Sequence, residues 1–176
     1  MVINNLDLQV VKCARPLPTN AKLDNIGFTN HGAITIVAPK NIRVAVLQPV
    51  LSPSTFEHLC GRITSRGASC VMLLVYRSRS QAVSPQFFTE RIKILEHLST
   101  LALSVVLTGD VNFYLDRPDD ASCQPFIELL MSFDLLQHID QPTHDFGDVT
   151  TCECYSAKEY NFDRFQILLI DSVLES

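Results

Sequence analysis

The order of patterned segments between Gly32 and Asp110 limits this chain more than any other feature: β-rich runs come first, then a helix, then another β run. Gly32-Ala33-Ile34-Thr35-Ile36-Val37-Ala38 is β-branched and stops at Pro39, and Ile42 to Leu47 is a second run stopped at Gln48-Pro49. Proline closes both because it cannot donate to a strand ladder. Phe56 to Ile63 and Ser69 to Tyr76 follow, separated by Thr64-Ser65-Arg66-Gly67-Ala68, and this turn-forming spacer predicts a hairpin. Ser84-Pro85 then offers an N-cap and a first-turn proline, with Phe88, Ile92, Leu95 and Leu98 at helical spacing up to Ser99. Leu103 to Leu107 reads as a short strand running into Thr108-Gly109-Asp110. A second helix is expected from Cys123 to Phe133, with Phe126, Leu129, Leu130 and Phe133 on one face, and a strand from Leu135 to Ile139. Hairpins joined to a helix-bearing crossover imply a mixed sheet with helices packed on it.

The chain has 176 residues, which suits one substantial core, and at 47% hydrophobic and 19% charged it is neither disordered nor low-complexity. Met1 to Asn30, with Arg15-Pro16-Leu17-Pro18 and several Asn and Asp, reads as an extended or loop segment. The formal charge of −5 argues against a uniformly basic nucleic-acid coat protein. It is unevenly distributed, however. Residues 1–100 hold eleven Lys and Arg against five Asp and Glu, whereas residues 101–176 hold three against fourteen. Such a division suits a protein offering basic groups to phosphates and carboxylates to a cation, or simply two differently solvated surfaces.

Six cysteines in a chain of this size are not needed as staples, and several lie in apolar runs, so a cytoplasmic or nuclear setting is expected. The start, Met1-Val2-Ile3-Asn4-Asn5, lacks the basic segment and apolar stretch of a secretory signal. No apolar run approaches the roughly 20 residues that span a bilayer.

Two strand ends hold the side chains with chemistry. In Val105-Val106-Leu107-Thr108-Gly109-Asp110-Val111-Asn112, an apolar run leads to a carboxylate and a carboxamide two residues apart. In an extended backbone such residues face one side, so Asp110 could take a proton from water or hold a hard cation while Asn112 donates to a phosphate. The alternative is a turn in which Asp and Asn bond their own backbone. In Leu73-Leu74-Val75-Tyr76-Arg77, a phenol and a guanidinium end another apolar strand, where a phosphate could meet both. With Arg62, Arg66 and Arg79 nearby in sequence, Arg77 is expected to form a basic rim at one end of the hairpin. Cys152-x-Cys154 with His144 has the wrong spacing for a structural zinc finger. Phe87-Phe88, Phe126 and Phe133 read as core aromatics, not base-stacking platforms.

In these segments the chain resembles the endonuclease domain of LINE-type (non-LTR) retrotransposons, of the endonuclease/exonuclease/phosphatase superfamily. The resemblance runs through His31-Gly32, Ser54-Thr55-Phe56-Glu57-His58-Leu59-Cys60, Leu74-Val75-Tyr76-Arg77 and Ser80-Gln81-Ala82-Val83-Ser84 before a Phe-Phe helix. It continues through Thr108-Gly109-Asp110-Val111-Asn112 to Thr143-His144-Asp145. It implies an α/β (α+β) fold, a partial four-layer β-sandwich flanked by helices with mixed, mainly antiparallel sheets. It also implies Mg2+-dependent cleavage of DNA, and a reverse transcriptase domain in the same full-length element.

By the same resemblance Asp110 is the general base and a possible metal ligand, Asn112 orients the phosphate, Tyr76 contacts it, and Thr143 adds a contact from a late loop. The matching region spans residues 31–148, between a poorly matched segment 1–30 and a non-matching tail 149–176. Two parts of the family pattern are missing: the upstream metal-binding glutamate, since residues 1–30 contain no Glu, and the C-terminal Asp-His pair. A domain truncated at both ends, lacking two edge strands and with impaired catalysis, is therefore expected. The alternative is a non-catalytic remnant that binds nucleic acid or protein.

Overall fold

The structure, a computed structural model, describes residues 8–12, 34–48, 50–78, 80–113, 123–138 and 152–157. Strands β1 (Leu8–Lys12) and β2 (Thr35–Pro39) form an antiparallel pair. A six-stranded sheet contains β3 (Arg43–Val46), β4 (Glu57–Ser65), β5 (Ala68–Tyr76), β6 (Ser104–Asp110), β7 (Leu135–Gln137) and β8 (Cys152–Ala157). Its order is β3-β4-β5-β6-β8-β7, and only β5 and β6 run parallel. Helix α1 (Pro85–Ser99) makes the crossover that this parallel pair requires, and α2 (Cys123–Ser132) follows β6.

Strand β5 organises both cores. Val71, Leu73 and Val75 face α1 and α2, packing with Phe87, Leu95, Leu98, Phe126 and Leu130. The alternate residues Cys70, Met72 and Leu74 join Ile36 and Ala38 of β2, together with Ile42, Leu59 and Ile63. A strand apolar on both faces must be covered on both, which is why Ser69 to Tyr76 reads as an almost unbroken apolar run. The described residues thus stack helices, a large sheet and a small sheet, giving the mixed, mainly antiparallel α+β architecture expected.

The β4–β5 hairpin turns on Arg66 (φ 48°) and Gly67 (φ 78°), the two left-handed residues of a type I′ connection, with Ser65 opposite Ala68. That backbone twist matches the flanking strands. Helix α1 starts where Ser84 accepts from the N–H of Phe87 (3.4 Å), with Pro85 in the first turn. Its buried face differs from the expected one: Phe87, Arg91, Ile94, Leu95 and Leu98 are inside, while Ile92 is exposed. Arg91 hides the period. It is fully buried, its guanidinium 4.6 Å from the centre of the Phe126 ring and 5.6 Å from that of Phe87. The apolar stem and the flat cation suit an aromatic box, a packing that a hydrophobic count misses.

Two further expectations are corrected. The first thirty residues are not all loop: Leu8-Gln9-Val10-Val11-Lys12 pairs with β2, and Gln9 reinforces the pair by donating from Nε2 to Pro39 O (3.2 Å) and Ile42 O. Five residues between polar neighbours are too short to announce a strand by periodicity. The tail is not wholly outside the sheet either, since β8 lies between β6 and β7. Cys152-Glu153-Cys154-Tyr155-Ser156-Ala157 has no apolar alternation to reveal it. The Phe165–Ile170 stretch and the His31-Gly32 motif lie outside the described residues.

Candidate active site

Tyr76 ends β5 and Asp110 ends β6, and the parallel register makes them direct partners. On the other side of Tyr76, the antiparallel register puts Glu57 opposite it. Partners in a ladder carry their side chains on the same face, so Glu57, Tyr76 and Asp110 form one row at one end of the sheet. Leu59, Leu74 and Val106 continue that face and pack towards the small sheet, which places the row at the rim of the cleft between the two sheets. Loops leaving the ends of parallel strands are where such sheets usually position reactive groups.

Gly109 lets the two strand ends meet. Its φ is 139°, and a Cβ there would lie 1.8 Å from Val75 O, so any side chain would drive β6 away from β5 one residue before Asp110. Asp110 is 8% exposed, and its Oδ1 accepts from the N–H of Asn112 (2.9 Å). Asn112 is left-handed at φ 53°, a conformation Asn tolerates better than most residues. The structure therefore brings Asp110 and Asn112 together by an Asx turn, not by the same-face alternation of an extended strand. Asn112 Nδ2 donates to Arg77 O (2.8 Å), which leaves the second amide hydrogen and Oδ1 for other partners.

Arg77 does not face a phosphate as expected. It is 4% exposed, and its Nε donates to Val111 O (2.7 Å), Nη2 to Asn112 O (2.8 Å), and Nη1 to Ser78 O (3.4 Å) and Gln81 O. The guanidinium lies 4.9 Å from the centre of the Phe113 ring. Burial lowers its pKa, an effect the charge of Asp110 partly opposes. The basic rim is corrected with it. The hairpin arms are nine residues each, so Arg66 at the turn is at the far end from Tyr76, roughly 30 Å away at ~3.3 Å per residue. Arg62 is midway along β4, and Arg79 lies outside the described residues, as do Thr143, His144 and Asp145.

Glu57 is the side chain that sequence reading passed over. Counting back from the Arg66-Gly67 turn along equal arms would have placed it opposite Tyr76. Among the described residues, no three His, Cys, Asp or Glu side chains converge on a cation-sized site. The local donor chemistry is thus one buried carboxylate, Asp110, at the cleft. It fits Mg2+, which takes one or two carboxylates together with water and substrate phosphate oxygens. It does not fit the closed four-ligand habit of structural zinc.

Comparison with solved structures addresses the fold. The human Nocturnin catalytic domain, solved with a bound sulfate anion, superposes with a TM-score of 0.59 at 12% identity, covering 87% of this chain and 61% of that one. A humanized D. rerio TDP2 carrying 14 mutations superposes with a TM-score of 0.50 at 11% identity, covering 90% of this chain and 65% of that one. The fold is of the endonuclease/exonuclease/phosphatase type. At these identities the likeness is one of fold alone, and the chain spans less than two thirds of either structure. No protein-family model and no curated protein sequence matches it. Within this endonuclease/exonuclease/phosphatase-type fold, no helix among the described residues is long and apolar enough to cross a membrane.

Proposed function

We propose that the chain is part of a DNA endonuclease of the LINE-type retrotransposon kind, which hydrolyses phosphodiesters slowly at the cleft formed by Tyr76, Asp110 and Asn112. The observation that best supports this reading is the pairing of Tyr76 with Asp110 at the ends of the parallel strands, with Asn112 folded back onto both. In this reading Asp110 accepts the proton of the attacking water. Asn112 orients the phosphate through the amide hydrogen that Arg77 O leaves open, and the Tyr76 phenol donates to a phosphoryl oxygen. Thr143 adds a hydroxyl contact from the later loop. Mg2+, held by Asp110, supplies neutralisation of charge developing on the phosphoryl oxygens. DNA is the substrate, and a reverse transcriptase is the accompanying domain in a full-length element.

Slow turnover follows from the residues. The chain has no Asp-His pair to assist the departing oxygen, and losing one such group commonly costs roughly 100-fold or more. A remnant that only binds nucleic acid drew on the basic first half. With Arg77 buried and Arg62 and Arg66 dispersed, no structural observation favours it.

Nicking of a supercoiled plasmid in Mg2+ provides the test. Slow conversion to open circles is expected, abolished by Asp110→Ala and by chelation. Absence of nicking when the DNA is saturated with protein, or nicking that survives Asp110→Ala, would sink the proposal.

A further inference from the structure

We propose that Arg77 is a positioning residue: its guanidinium sets the backbone that presents Asp110 and Asn112, and it makes no contact with substrate. Three consecutive carbonyls at the exit of β6 accept from this one residue. The N–H of Arg77 donates to Asp110 O (2.9 Å), Nε to Val111 O (2.7 Å) and Nη2 to Asn112 O (2.8 Å). Asn112 returns a bond from Nδ2 to Arg77 O (2.8 Å), so the residue after Tyr76 and the last residue of the D-x-N turn hold each other reciprocally. Nη1 reaches the opposite way, to Ser78 O (3.4 Å) and Gln81 O, and joins the loop after β5 to the exit of β6. Phe113 lies beneath the guanidinium plane.

This arrangement needs a planar fork with donors on several edges, which lysine lacks despite its equal charge. It also explains how Asn112 stays left-handed, a strained state that persists only when its surroundings over-determine it. A guanidinium whose donors lie on Val111, Asn112, Ser78 and Gln81 carbonyls cannot turn towards a phosphate without dismantling the turn that shapes the site. Arg77 thus acts on chemistry only through Asp110 and Asn112. That catalytic consequence rests on the phosphodiesterase reading above, whereas the structural one does not.

The decisive comparison is Arg77→Lys, which keeps the charge and loses the fork. In plasmid nicking, kcat is expected to fall roughly ten- to hundredfold with KM changed by less than about twofold, as displaced reacting groups produce. The salt dependence of DNA binding should keep the wild-type slope, because no phosphate contact is lost. The Asn112 backbone and side-chain amide signals should move in the NMR spectrum. A raised KM at unchanged kcat, a salt slope smaller by about one, or unmoved Asn112 signals would each overturn the proposal.

Should Arg77→Lys fail to fold, the wild-type protein decides. Its Arg77 Nε–H signal should be protected from water exchange and should stay put on titration with inorganic phosphate. Rapid exchange or a saturable phosphate shift would refute the assignment. Wild type that never nicks DNA defeats the phosphodiesterase reading alone, since the NMR outcomes still test Arg77.

Discussion

At the scale of single residues, the site depends on backbone geometry more than on side-chain identity. Gly109 is the sharpest case. A methyl group there would overlap Val75 O at 1.8 Å, and the φ of 139° is hostile to any side chain. Gly109→Ala should therefore destabilise the fold by roughly 3 kcal/mol or more, as strain and displaced strand pairing add. Urea unfolding measures it, and a loss below about 1 kcal/mol would show that β5 and β6 can separate without penalty. The D-x-N spacing was legible in the sequence, but not the manner of its closure. The alternation argument assumed an extended backbone through Asn112, whereas the Asp110 carboxylate bends it into a turn. Arg77 shows the same limit from another side. An arginine after an apolar strand looks like an anion ligand until the nearby carbonyls are known, and only the three-dimensional path of residues 110–112 supplies them.

Elements were legible where a start signal and a period agreed. Ser84-Pro85 marked the beginning of α1, and the Gly67 turn marked the β4–β5 hairpin. The face of α1 was misread because Arg91 fills a core position over Phe87 and Phe126. The opposite side of that helix carries a latch which no sequence pattern announced. Glu90 accepts from Ser54 N–H (3.1 Å), Ser54 Oγ (3.0 Å), Thr55 N–H (3.1 Å), Thr55 Oγ1 (2.6 Å) and Gln86 Nε2 (2.9 Å). These bonds tie the approach to β4, and hence Glu57 of the site row, to α1. Burial opposes ionisation of Glu90, but the bonds from Thr55, Gln86 and Ser54 prevail and hold its carboxyl down at about 2. Because the folded pKa lies below the unfolded value near 4.3, the latch stabilises fully above that value, and its contribution fades as pH falls towards about 2. Glu90→Gln should cost about 1 kcal/mol at neutral pH, at the low end for charge-assisted bonds because the latch meets solvent. It should also flatten the stability profile between about pH 4.5 and 2. A variant with an unchanged acid limb would remove the latch from the account.

For the whole molecule, the decisive fact is that the large sheet closes through a strand far along the chain. Residues 31–148 contain the recognisable motifs, yet β8 at Cys152–Ala157 separates β6 from β7 and pairs with both. Asp110 itself is the register partner of Cys152, so the strand that carries the candidate base is hydrogen-bonded on both sides: by β5, which sequence patterning found, and by β8, which it did not. Motif content and structural content are therefore different partitions of the chain. Chemistry clusters at two strand ends, whereas the ladder holding them needs residues with no recognisable pattern. Ser156 tests this dependence. It is fully buried, opposite Val106 on β6 and Leu136 on β7, and its Oγ is 2.7 Å from His138 Nε2. Proline in an interior strand removes a ladder donor and clashes with its neighbours, so Ser156→Pro should destabilise the protein by about 3 kcal/mol or more. Because β6 would lose a partner along its length, the Asp110 amide should also exchange with water faster in the variant. Thermal unfolding and amide exchange read the two effects together. If Ser156→Pro melts like wild type and leaves Asp110 protected, then β8 is dispensable and residues 31–148 form the sheet without it.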